Sequence, residues 1–100
     1  MQPNLRLSRL RDIGWKHWDP IGLLPEGCNW KDESFADEYD VYLTHAAGQL
    51  RRGVSEQEVV EYLCMIETDF MGLGSSQRAE ARAWKVVKAI QADPDLWLSS

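Results

Sequence analysis

The chain has 100 residues, of which 44% are hydrophobic and 27% charged, and its formal net charge is −5. That length suits one domain over residues 1–100 with a single modest core, needing neither a metal nor disulfides, and no apolar run is long enough for a membrane-spanning helix. The charge is uneven, at +3 over residues 1–18, −9 over 19–69 and +1 over 70–100. Such an acidic middle repels nucleic-acid phosphates and favours a basic protein as partner.

The first predicted helix covers residues 3–14. Leu5, Leu7, Leu10, Ile13 and Trp15 recur at roughly helical spacing, Pro3 suits the first turn, and Gly14 reads as the stop. Five Trp in one small chain are costly to leave in water and are expected in the core or a contact surface. Pro20, Gly22, Pro25, Gly27 and Asn29 then break any helix, so Trp18–Ser34 reads as an ordered loop, long for so small a domain.

A second helix is predicted over 35–52. Ser34 is its expected cap, with Asp37 three residues on. Phe35, Tyr39, Tyr42, Leu43, Ala46 and Leu50 mark the inward face, and Arg51, Arg52 and Gly53 mark the end. Gly48 lies inside it at a cost of about 1 kcal/mol relative to Ala, which implies close approach of another helix or an indole. The stretch "VSEQEVV" opens a third helix over 56–71: Ser55 caps, Glu58 sits at N3, and Val54 and Val59 form a hydrophobic staple.

A fourth helix is predicted over 76–91, capped by Ser75 or Ser76, with Ala79, Ala83, Val86, Val87 and Ile90 facing inward. In "DPDLWL", Asp93 caps a short turn over 94–98 that folds Leu96 and Trp97 back. The expected fold is all-α: a compact four-helix bundle or orthogonal helical array, without strands, with a long ordered loop between helices 1 and 2.

Chemistry-bearing motifs are sparse. His17, His45, Cys28 and Cys64 show no zinc spacing and no Gly turn suited to a nucleophilic cysteine. The opening residues lack the apolar core of a secretory signal, so both thiols are expected reduced, in the cytoplasm. "GLGSS" lacks the lysine of a phosphate loop, and its glycines read as a helix stop. The densest charge lies in "KDESFADEYD", where Asp37 and Asp40 are spaced to share a helix face. A helix start favours their ionised form, which suits a contact surface better than acid–base catalysis.

Taken together, "WDPIGL" at 18–23, "DEYDVYL" at 37–43 and "VSEQEVVEYLCMIETDFMGL" at 54–73 resemble motifs of a group of small bacterial proteins of unassigned function. The resemblance covers just over half the chain and implies a small, cytoplasmic, α-helical protein without assigning an activity. Compact acidic proteins of this size include immunity proteins that neutralise toxins, an analogy of size and charge alone. The resemblance also suggests that the two clusters meet. Asp19 would hold a turn, Trp18 would plug the bundle, and the Tyr39 hydroxyl would bond the same loop.

The functional expectation is a non-catalytic interaction module, immunity- or adaptor-like, without cofactor or metal. Its acidic surface would bind another protein through Trp18, Asp19, Asp37, Glu38, Tyr39, Asp40 and His45. One alternative is a small-molecule or enzymatic site between the loop and the second helix, using Asp19, Tyr39 and His45. Another is a structural homo-oligomer joined through exposed Trp residues.

Overall fold

The capping signal at Ser55 has its structural counterpart in the computed structural model, which describes residues 4–19, 29–70, 72 and 77–98. Ser55 Oγ accepts the Glu58 N–H at 3.2 Å at the start of α3 (Glu56–Met65). Beyond Met65 the helix widens into a π-turn over Ile66–Phe70. Both Ile66 and Glu67 are buried there. Across from it, α4 (Gln77–Ala92) buries Ala79, Ala83, Val86, Val87 and Ile90, the stripe expected from its spacing.

The first helix differs from expectation. α1 spans Leu7–His17, and Asn4–Leu5 ahead of it form β1, antiparallel to β2 (Trp97–Leu98). Asn4 lies opposite Leu98 and Leu5 opposite Trp97, while the Arg6 N–H donates to the Leu96 carbonyl at 2.8 Å. Gly14 does not stop α1; it is buried within it. An added Cβ would fall against Leu43 Cδ1, inside the 3.0 Å that real contacts respect, and 3.3 Å from Cδ2. The helix tolerates glycine because a side chain there would overlap its neighbour.

The second helix is also shorter than predicted, and the turn ahead of it explains why. α2 spans Asp40–Arg51, preceded by turns in which the Glu38 N–H donates to Phe35 at 2.9 Å and the Asp40 N–H to Asp37 at 3.1 Å. Ser34 therefore does not cap α2. Phe35 and Tyr39 face inward from the turns and pack on Trp15, with ring centroids 5.4 and 4.7 Å away. The end follows the sequence: Gly53 has φ +91°, its N–H donates to Leu50, and the Val54 N–H donates to Gln49, a Schellman cap. Gly48 corrects an expectation, because a Cβ there would meet nothing within 4 Å. The close approach foreseen for Gly48 occurs at Gly14.

α4 packs against all three other helices, and α2 lies against both α1 and α3. The core between them holds Leu10, Leu43, Ala46, Val59, Leu63, Val86 and Leu96, together with Trp15, Trp18 and Trp30. A short 3-10 turn, Trp30–Asp32, seats Trp30, whose Nε1 donates to Asp12 at 2.6 Å. Within the long predicted loop, Pro20–Cys28 lie outside the described residues, as do Ser75 and Ser76 at the expected cap of α4.

Candidate functional site

Trp18 and Tyr39 are buried, and their rings meet edge to face at 5.2 Å. The Tyr39 hydroxyl donates to Asp19 Oδ1 at 2.9 Å. Trp18 also packs edge-on against Tyr42 at 6.1 Å, and Trp15 packs tilted against Tyr39 at 4.7 Å. This aromatic cluster fills the space between the end of α1 and the start of α2. It fastens one end of the loop to the helix start, with Asp19 bonded to a phenol.

The other predicted residues separate from this cluster. Asp40 receives a fork from Arg11, Nε to Oδ1 at 3.0 Å and Nη2 to Oδ2 at 2.5 Å. Its carboxylate hydrogen bonds hold the Arg11 guanidinium above its ordinary range and tie α1 to α2. Asp37 and Glu38 remain exposed. His45 is exposed one turn into α2, its ring 4.6 Å from that of Tyr62. It lines an open groove of about 690 Å³ with Val41, Thr44, Gly48, Arg52 and Trp97. Asp19, Tyr39 and His45 thus occupy two settings, one a buried latch and the other an outer helix face.

A second groove, of about 370 Å³, runs along α3 and the start of α4. Glu61, Asp69 and Glu80 line it, and Val60, Cys64 and Met65 supply apolar surface. Met65 is 42% exposed, against the usual burial of a large thioether. Among the described residues, none of the four ion pairs uses Glu61, Asp69 or Glu80. The one buried acid nearby, Glu67, is instead forked by Arg82 at 3.3 and 3.1 Å, which locks the π-turn to α4. Glu61, Met65 and Asp69 stand four apart in the sequence, so their common face is legible there. Glu80 joins them only through the fold.

Electrostatics in this groove disfavour a reactive sulfur. Burial, followed by the negative charges of Glu67 and Glu80, pushes the Cys64 thiol above its ordinary value. A thiol held in its protonated form is a poor nucleophile. Among the described residues no three His, Cys, Asp or Glu side chains gather as metal ligands, and no helix is long and apolar enough to cross a membrane.

No protein-family model, curated protein or solved structure matches the chain. Its functional reading therefore rests on its own surfaces.

Proposed function

We propose that this chain is a non-catalytic interaction module that receives a basic segment of another protein in the acidic groove between α3 and α4. The observation that carries the reading is the exposed Met65, seated among Glu61, Asp69 and Glu80. A flexible apolar anchor rimmed by carboxylates suits an amphipathic segment with an aliphatic or aromatic residue at its centre and Lys or Arg around it. Long-range attraction to the acidic rim would speed encounter, and the apolar floor would slow release. The acidic surface is thereby relocated from the start of α2, where Asp40 is already bound by Arg11, to the α3 face.

Supporting the non-catalytic part, the Tyr39 hydroxyl of the latch is bonded to Asp19, and the Cys64 thiol is held protonated. A free Cys64 fits a reducing, cytoplasmic setting, and the resemblance of the motifs to small bacterial helical proteins agrees with it.

The test is affinity capture on the immobilised chain, followed by titration of the captured protein against wild type and a Glu61→Lys/Glu80→Lys variant. Binding should fall steeply as salt rises from about 0.05 to 0.5 M, over which the Debye length shortens severalfold, and should be lost in the charge-reversed variant. Capture that is indifferent to both salt and charge reversal would refute the reading.

A further inference from the structure

The outer face of α2 carries a pattern that the acidic groove does not use. Along that face stand Val41, then Thr44 and His45, then Gly48, then Arg51, with exposed Asp37 and Glu38 in the turn ahead of the helix and exposed Arg52 just past its end. Val41 is 73% exposed, the most exposed large hydrophobic residue among those described. Gly48, two turns further on, opens into free space where its side chain would be. Val41 is thus a knob without a hole, and Gly48 a hole without a knob, both lining the same groove. Among the described residues, none of the ion pairs uses Asp37, Glu38, Arg51 or Arg52.

Within the helix, Val41 and Gly48 are symmetric about the midpoint between Thr44 and His45. The exposed acids Asp37 and Glu38 lie just ahead of the helix, and the exposed bases Arg51 and Arg52 lie at its other end. A helix laid antiparallel across this face therefore finds its complement in the same sequence. We infer that the outer face of α2 is a two-fold interface that binds α2 of a second copy of this chain.

In the pair, Val41 of each copy sits over Gly48 of the other. The missing Cβ lets the two backbones come close, as small residues do wherever helices pack tightly. The acidic turn ahead of each α2, with exposed Asp37 and Glu38, faces the basic end of its partner, so the two ends are matched in charge. Trp97, held beneath Arg51 with the guanidinium 4.6 Å above its ring centroid, walls the groove beside Gly48 and meets the incoming valine. The interface is isologous, and contacts of this kind close at two subunits.

Its strength follows from its size. α2 has 12 residues, a rod of about 18 Å at 1.5 Å rise per residue. One such helix pair, even with Trp97, buries less than the roughly 800 Å² per partner of a standard interface. The dimer is therefore a weak one, with dissociation in the micromolar-to-millimolar range. It does not depend on the acidic groove, so loss of either binding event leaves the other intact.

Sedimentation equilibrium of the full chain from about 10 µM to 1 mM, a span that covers weak association, tests it with two charge-reversed variants. Asp37→Lys/Glu38→Lys makes both ends of the α2 face basic, and Arg51→Glu/Arg52→Glu makes both acidic. The wild type should show a monomer–dimer equilibrium, each variant alone should be monomeric, and an equimolar mixture should form a heterodimer at least as tight as the wild-type pair. Circular dichroism confirms that the variants remain helical. Gly48→Leu, which fills the hole, should weaken the wild-type dimer by about tenfold or more, the equivalent of one well-packed contact, without lowering the melting temperature. A wild type that stays monomeric up to the highest concentration overturns the inference. So does a dimer that survives both charge reversals, or a mixture of the variants that remains monomeric.

Discussion

Replacing Gly14 with alanine sets two effects of known sign against each other. In a helix interior the change gains about 1 kcal/mol of intrinsic propensity. Opposing it, the new methyl would overlap Leu43 Cδ1 and lie 3.3 and 3.4 Å from Cδ2 and Cγ. Leu43 is 1% exposed and belongs to the central core, so its end cannot swing into solvent. Overpacking of a filled core costs about 1–3 kcal/mol, leaving Gly14→Ala destabilising by about 1 kcal/mol. In a Leu43→Ala background, itself about 2–5 kcal/mol less stable, the overlap vanishes while the propensity gain remains. There the same Gly14→Ala change should stabilise by about 1 kcal/mol, so the two sites couple by about 2 kcal/mol. Urea unfolding followed by tryptophan fluorescence measures all four corners of the cycle. Should Gly14→Ala stabilise the wild type, or act equally in both backgrounds, the assignment of Gly14 as a packing glycine is wrong.

Other perturbations probe the bonds that fix the helices. Arg82→Met leaves the carboxylate of Glu67, which is 1% exposed, without its fork and should cost about 2–3 kcal/mol; a urea midpoint unchanged from wild type would contradict this. Tyr39→Phe removes the phenol donated to Asp19 and should cost about 1.5–3 kcal/mol, the range for a hydrogen bond to a charged group. Differential scanning calorimetry reads it, and an unaltered melting temperature would remove the latch from the stabilising contacts. The Arg9 guanidinium, bonding both oxygens of Asp93, holds that carboxyl below its ordinary value, with the Asp95 N–H assisting. A depressed folded pKa gives stability that is complete above the unfolded value of about 3.9 and lost as pH falls through the folded one. Asp93→Asn should therefore flatten the acid limb of the melting curve below about pH 4; parallel limbs would exclude it. Burial, followed by Lys16 and Lys85, lowers His17. Its contribution is complete above the unfolded value of about 6.5 and declines as pH falls toward the folded one. His17→Gln should reduce the slope of stability between about pH 7 and 5, and an unchanged slope measured by urea titration would refute this.

Much of this fold is legible in local sequence. Ser55 and Glu58 announce α3, Gly53 ends α2, and the spacing of Ala83, Val86, Val87 and Ile90 fixes the inner face of α4. Each of these signals acts within a few residues and needs no knowledge of the rest of the chain. Gly14 misleads because its meaning lies in Leu43, far along the sequence, whose bulk occupies the space of the missing side chain. Phe35 and Tyr39 mislead differently, since their helical spacing also serves two plugs presented by successive turns. The bond between Tyr39 and Asp19 follows from reading the two polar-aromatic clusters together. The forks from Arg9 to Asp93, Arg11 to Asp40 and Arg82 to Glu67 do not, because any of several carboxylates satisfies the same chemistry until the helices are placed. Likewise Glu80 belongs to the acidic groove only after α4 crosses α3.

The two-rung pairing of Asn4–Leu5 with Trp97–Leu98 has a topological consequence. Strand partners lie only about 5 Å apart, so residues 4 and 98 are near neighbours in space. A short flexible linker can therefore join residues 4 and 98, and the chain can be reopened at the exposed turn around Gly53 between α2 and α3. The circularly permuted order, α3 and α4 followed by the linker, α1 and α2, retains every helix contact described above. The same closeness lets the whole domain be spliced into a surface loop of a host protein without prying that loop apart.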